Sequence, residues 1–231
     1  MFYFYGAKRA MARWYPDPEF PLVVEPFAGS AQYAMHALRH GKAERAVLYD
    51  SDPRVVEIWH RLLSMSPEDV LALPPIEAGV RTSDPMHIVV AASNSWGRVK
   101  GMTVTPRMAK RWETMKANIA AELPLVLGKV EIYLGDYTLA GIHGEATYFV
   151  DPPYQPQADD VWWRKGQGYP KGHDARSLDF VALGEWCRSR SGQVIVAEQD
   201  GATWLPFLPL RGLRDSQGTH RKEVIWTKEN L

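Results

Sequence analysis

The sequence predicts an α/β protein built on a mostly parallel, doubly wound sheet. Three observations lead there. Apolar runs of strand length alternate with helical patterns, acidic residues stand at or just past the ends of those runs, and the first run opens through a turn of small residues into a helix. Crossovers in such a sheet bring the strand ends to one rim, where ligands bind.

In chain order, Leu22 to Phe27 reads as a buried strand, with Ala28, Gly29 and Ser30 as the turn out of it. Ala31 to Arg39 follows as a helix, with Ser30 at its N-cap and Gly41 as its stop. Small residues there let a ligand approach the backbone beside a helix N-terminus, although Ala31 stands where a second glycine would be expected. The strand from Ala46 to Tyr49 ends at Asp50, about twenty residues beyond Gly29, the separation at which an acid meets ribose hydroxyls in nucleotide-binding α/β folds. Asp52 then caps a helix that has Pro53 at its first position and runs through Leu63.

From Leu71 to Gly128 the pattern changes. An apolar stretch, His87 to Ala92, leads into a loop containing Asn94, Trp96, Gly97, Arg98 and Lys100, and Thr105-Pro106 starts a helix with Met108, Trp112, Met115, Ile119 and Leu123 on its apolar face. The other face carries Arg107, Lys110, Arg111 and Lys116. With Arg98 and Lys100 these make the densest basic region of the chain, which fits a solvated helix face or a track for a nucleic-acid backbone equally well.

The sheet resumes at Val130 to Leu134, followed by Gly135 and Asp136, and again at Ala146 to Val150. A polar loop from Gln155 to Asp174, with Trp162 and Trp163, has the length of a lid or binding loop. Ser177 is placed as the cap of a helix reaching about Arg190, and Gln193 to Ala197 as an interior strand. Arg221 to Thr227 reads as a terminal edge strand, with Leu205 to Leu213 a candidate for one more.

With 231 residues, one α/β domain carrying a modest insertion is expected: residues 1–70 and 129–231 as the main domain and 71–128 as the insertion. A formal net charge of zero provides no global field, so any polyanion must be met by local lysines and arginines. The single cysteine, Cys187, excludes an internal disulfide framework and fits a reducing compartment. The first residues lack the basic start and apolar core of a signal peptide, and no run reaches membrane-spanning length. A cytoplasmic protein without a membrane partner is the expectation. His36 and His40 form an i, i+4 pair with no evident third ligand, so no metal is expected.

Asp151-Pro152-Pro153-Tyr154 ends the strand from Ala146 and carries the chemistry. The prolines stop the ladder and fix the backbone, leaving carbonyls without a continuing strand beside a carboxylate and a phenol ring. Acceptors against an aromatic wall suit a flat molecule bearing an amino group. Glu25, Asp50, Asp136 and Asp151 all reach the same rim, and their cost is offset by a donor-rich ligand, of which a nucleotide-like cofactor is favoured.

Tyr5-Gly6-Ala7-Lys8, then Glu25-Pro26-Phe27-Ala28-Gly29-Ser30, then Asp50, then Asp151-Pro152-Pro153-Tyr154 occur in the order found in Dam-like (D12 class) DNA adenine N6-methyltransferases, which the chain resembles over nearly its whole length. The resemblance implies a Rossmann-like S-adenosylmethionine-dependent methyltransferase fold with a small inserted target-recognition region at 71–128. It places Tyr5, Gly6, Ala7, Lys8, Glu25, Pro26, Phe27, Gly29, Ser30, Asp50 and Asp136 around S-adenosylmethionine. Within that set, Phe27 and Gly29 line the cofactor, Asp50 takes its ribose hydroxyls, Asp136 lies near its adenine, and Gly6 and Lys8 approach its methionine carboxylate. Asp151 and the Pro152 carbonyl would accept from the N6 amino group of a flipped adenine, beside Pro153, and Tyr154 would stack on the base. Asn94, Trp96, Arg98, Lys100, Lys110 and Arg111 would contact double-stranded DNA, Asn94 to Arg98 by a looser match to the family's recognition loop. A monomer or weak dimer is expected.

Ala7 and Ala31 depart from the family's glycines, which bears on cofactor affinity; the insertion is short for a recognition domain, so modest or relaxed sequence specificity is expected. Other readings are a cytosine-N4 or RNA amino-methyltransferase, a nucleic-acid-binding relative without catalysis, and a nicotinamide-dependent oxidoreductase. The last leaves Asp151 to Tyr154 unexplained.

Overall fold

The computed structural model describes residues 2, 8, 11–87, 102–156, 177–214 and 220–228, with residues 211–214 and 220–222 described by their backbone alone. The elements in order are β1 (Leu22–Glu25), α1 (Gln32–Arg39), β2 (Arg45–Asp50), α2 (Pro53–Leu63), α3 (Pro67–Ala72), β3 (Arg81–Thr82), β4 (Met102–Thr103), α4 (Pro106–Glu122), β5 (Val130–Leu134), β6 (Ala146–Val150), α5 (Phe180–Ser189), β7 (Gly192–Gln199), β8 (Leu208–Arg214) and β9 (His220–Thr227). β3 and β4 form a separate antiparallel pair. The other strands form one sheet in the order β5-β2-β1-β6-β7-β9-β8. From β5 to β7 every pairing is parallel, and β9 runs antiparallel to both β7 and β8. This is the Rossmann-like α/β architecture expected from the strand and helix alternation, closed by a reversed hairpin.

Side-chain alternation divides the core between the two faces of the sheet. Ala46 and Leu48 of β2, with Val23, Ile132 and Phe149, pack on the side of α1, α2 and α4. Val47 and Tyr49, with Val24, Tyr148 and Val150, pack on the side of Leu183 and Cys187 from α5. Met108, Trp112, Met115 and Ile119 of α4 join the first of these clusters, so the expected apolar face of that helix lies against the protein interior. Thr105 caps it as expected, accepting from Met108 N–H at 3.2 Å.

Several local expectations are corrected. Arg221 to Thr227 is not an edge strand. The chain turns back after β8 so that β9 inserts between β7 and β8, and β8, which contains Pro209, takes the edge, where a missing N–H costs no ladder bond. Asp179, rather than Ser177, caps α5, accepting from Val181 and Ala182 N–H, both at 3.0 Å. Ser30 does not cap α1. Its place is taken by Ala31 in the left-handed region at φ 47°, and the Glu25 carboxylate accepts the Ala34 N–H at 2.7 Å from the end of the preceding strand. Lys116 is not on the solvated face of α4, because its ammonium is buried against the Leu73 carbonyl at 2.7 Å and Glu113 at 2.9 Å.

The strand order reverses between β1 and β6, neighbours paired at Val24 and Tyr148. The Gly29 turn leaves β1 and the Asp151 segment leaves β6 on either side of that switch point, where open α/β sheets bind their ligands.

Candidate active site at the sheet rim

The turn after β1 is pinned from several directions. Gly29 N–H donates to Asp50 Oδ2 at 2.8 Å, Trp59 Nε1 donates to the Gly29 carbonyl at 2.9 Å, and Ala28 N–H bonds the Tyr49 carbonyl at 2.9 Å. Gly29 has φ 47°, so it and Ala31 both bend the chain in the left-handed sense that brings α1 in immediately behind the turn. Ser30 is buried, and the Gln32 side chain bonds its carbonyl at 3.0 Å. Pro26 lies buried between Glu25 and this turn.

Asp50 accepts Asp52 N–H at 2.8 Å with Oδ1 and Gly29 N–H with Oδ2. Each oxygen therefore keeps lone-pair capacity for a further donor. Burial pushes this carboxyl up to about 6 against those two backbone bonds. Asp52 serves α2 as expected, accepting Arg54 N–H at 2.9 Å and pairing with its guanidinium at 2.6 Å. Half-buried Phe27 stacks on Tyr137 with ring centroids 5.9 Å apart and 22° between planes. Asp136 is exposed beside that pair and holds the Thr138 N–H at 2.9 Å.

Across the switch point, Asp151 is drawn into a cluster assembled from three distant parts of the chain. Lys8 Nζ lies 3.1 Å from Asp151 Oδ1 and 3.2 Å from Glu223 Oε1, and it also contacts the Tyr154 hydroxyl. Glu223 Oε1 accepts the Tyr154 hydroxyl at 2.8 Å and the Tyr15 hydroxyl at 2.6 Å. Pro152 is buried and Pro153 half-buried, and the segment beyond them is clamped by β7. Glu198 Oε2 accepts Gln155 N–H at 3.0 Å and Trp204 Nε1 at 3.0 Å, while the Gln199 side chain donates to the Gln155 carbonyl at 2.9 Å.

Burial sets the electrostatics of this rim. It pushes Asp151 up to about 6, with the Lys8 ammonium opposing and Glu223 adding to the rise. It pushes Glu198 up to about 7 and Glu25 up to about 8, in each case against backbone N–H bonds. Burial also draws the Lys8 ammonium down, but Asp151 and Glu223 together outweigh it and hold the group above its ordinary value. Tyr15 and Tyr154 are both raised by burial and then by these carboxylates, so both phenols stay protonated donors.

The structure therefore brings Lys8, Asp151 and Tyr154 together and sets Phe27, Gly29, Ser30, Asp50 and Asp136 around the neighbouring turn. Glu25 is turned inward onto α1. Lys110 is exposed on α4 and Arg111 is half-buried there. Tyr5, Gly6, Ala7, Asn94, Trp96, Arg98 and Lys100 lie outside the described residues. Sequence reasoning missed Tyr15, Glu198 and Glu223, three polar groups that converge on the Asp151 segment from other elements. For Glu223 a signal existed: strand alternation puts it on the face opposite Val224 and Trp226. Among the described residues no His, Cys, Asp and Glu group could hold a metal ion, and no helix is long and apolar enough to cross a membrane.

No protein-family model matches the chain, and no curated protein matches it in sequence. Solved structures give remote similarities. One is yhhF from Escherichia coli, described as a methyltransferase, at 13% identity and a TM-score of 0.36, covering 88% of this chain and 75% of that one. Another is a mutant of MtNAS, at 9% identity and a TM-score of 0.38, covering 94% of this chain. The alignment spans only 56% of MtNAS. At this level of similarity the fold is defined by the strand order of the sheet itself.

Proposed function

We propose that the chain is an S-adenosylmethionine-dependent DNA adenine N6-methyltransferase. One observation carries the reading: at the switch point, a half-buried carboxylate, Asp151, and a held phenol ring, Tyr154, stand one strand away from a glycine turn backed by Asp50.

The residues around the turn fit the cofactor. Asp50 has lone pairs free for ribose hydroxyls, Gly29 allows close backbone approach, and the Phe27 and Tyr137 rings with Asp136 offer a flat surface and an acceptor for an adenine. S-adenosylmethionine supplies a sulfonium methyl already activated for transfer. The protein's task is then alignment and electrostatics. Adenine N6 is a weak nucleophile because its lone pair is delocalised into the ring. Asp151 and the Pro152 carbonyl, by accepting its hydrogens, favour a geometry in which that lone pair can attack, and Asp151 is placed to take the proton released. Tyr154 stacks on the extruded base, and Glu198 fixes the segment that carries it through Gln155. Lys8 would meet the methionine carboxylate, and its bridge to Asp151 links the cofactor side of the site to the substrate side. Double-stranded DNA is the proposed partner, with Lys110 and Arg111 of α4 and the segment containing Asn94 to Lys100 as its contacts.

The test is transfer of labelled methyl from S-adenosylmethionine to unmethylated DNA, to RNA and to neither, followed by identification of the labelled nucleoside. N6-methyladenine from DNA is expected; N4-methylcytosine, label in RNA alone, or no transfer contradicts the proposal.

A further inference from the structure

Glu223 joins the motif segment to two other parts of the chain. It lies near the start of β9, 9% exposed, opposite Gln199 of β7, and a single oxygen accepts both the Tyr154 and the Tyr15 hydroxyls. The same oxygen lies 3.2 Å from Lys8 Nζ, which itself reaches Asp151. Tyr15 is in turn locked by aromatic packing, its ring 4.8 Å from Phe149 and 6.3 Å from Tyr33 in edge contacts. Glu223 is therefore held by the core on one side and holds two groups of the site on the other. A tyrosine left without this acceptor would keep rotamer freedom about its ring, and the ammonium would lose one of its two carboxylates.

We infer that Glu223 is a positioning residue, fixing the Tyr154 ring and the Lys8 ammonium relative to Asp151. The role in turnover rests on the reading of the site as an adenine N6-methyltransferase; the hydrogen-bonded coupling to Tyr154 does not. Among the residues whose side chains are described, the charged and titratable groups facing Glu223 are Lys8, Tyr15, Tyr154 and Asp151, with Glu25 and Glu198 behind them.

Three variants, Glu223→Gln, Glu223→Ala and Tyr154→Phe, test this. The amide oxygen of Gln can still accept the two phenols, whereas Ala cannot. Glu223→Ala is expected to lower kcat by about 100-fold, the scale of a misplaced reacting group. Glu223→Gln should recover part of the loss. Because Glu223 raises Asp151, the acidic limb of the pH-rate profile should move to lower pH in both variants. Unchanged kcat, or equal losses in Gln and Ala with an unmoved acidic limb, would overturn the inference. A readout independent of activity is the unfolding midpoint: the effects of Glu223→Ala and Tyr154→Phe should be less than additive. Additive effects sink the inference whatever the substrate. A wild-type protein that transfers no methyl group, together with non-additive midpoints, removes the methyltransferase reading and leaves the coupling standing.

Discussion

Lys8 Nζ lies 3.1 Å from Asp151 Oδ1, although 143 positions separate the two residues in the chain. The ammonium opposes the burial that raises the Asp151 carboxyl to about 6. In the proposed reaction Asp151 accepts an amino hydrogen as a carboxylate, so Lys8 would widen the pH range in which it can act. Replacing it with methionine, which keeps the apolar stem, should lower methyl transfer and move the acidic limb of the pH-rate profile upward. That shift is opposite in sign to the one expected for Glu223 variants. An unmoved limb would mean that Asp151 is not the titrating group.

The raised carboxyls contribute stability that is lost as pH rises from about 5 to about 8, against the lowered His36, His87 and His143, which act in the opposite sense below about 6.5. Glu25, Asp50, Asp151 and Glu198 are all raised by burial, to about 8, 6, 6 and 7. Between its unfolded value and its raised folded value, each carboxyl binds more protons in the native state than in the unfolded chain. Raising the pH through that window therefore favours unfolding, and the loss is complete once the folded value is passed. Glu25→Gln keeps an acceptor for Ala34 N–H and removes the highest of these groups. Thermal unfolding measured from pH 5 to 9 should show the midpoint of this variant gaining on that of the wild type as pH rises to about 8.

Ala31 offers a test of strain in the turn after β1. Left-handed φ costs an L-residue roughly 1–2 kcal/mol, and a glycine would relieve it while losing a buried methyl worth about 0.8 kcal/mol. Ala31→Gly should therefore be close to neutral in stability. Ala31→Val adds β-branching at the same φ and should destabilise by more than about 1 kcal/mol. Chemical denaturation of the three proteins separates these outcomes.

Two lysines on α4 should behave differently. Lys110 is exposed, so Lys110→Ala should leave unfolding unchanged, weaken DNA binding and reduce the slope of log affinity against log salt by about 1. Lys116 is buried on the Leu73 carbonyl, and Lys116→Ala should cost about 1–3 kcal/mol of stability by leaving that carbonyl unpaired. Salt titrations of binding alongside denaturation curves check both.

The alternation of strands and helices, the Asp52-Pro53 and Thr105-Pro106 helix starts and the apolar face of α4 were legible because each is written in local spacing. Long-range pairing was not. Nothing in Arg221 to Thr227 reveals that it inserts beside β7 and thereby carries Glu223 to Tyr154, because strand order depends on which partner buries Val224 and Trp226. The cap of α1 was misread because the acceptor comes from Glu25, outside the helix's own turn. Lys116 was misplaced although its spacing, four residues after Trp112, already put it beside the apolar stripe.

The most direct test of the reading is the yield of N6-methyladenine from unmethylated DNA at saturating S-adenosylmethionine, for the wild type and for Asp151→Ala. The wild type should produce it and the variant should not, while both bind the cofactor with similar affinity. Equal yields from the two proteins would contradict the assignment of Asp151 to the amino group.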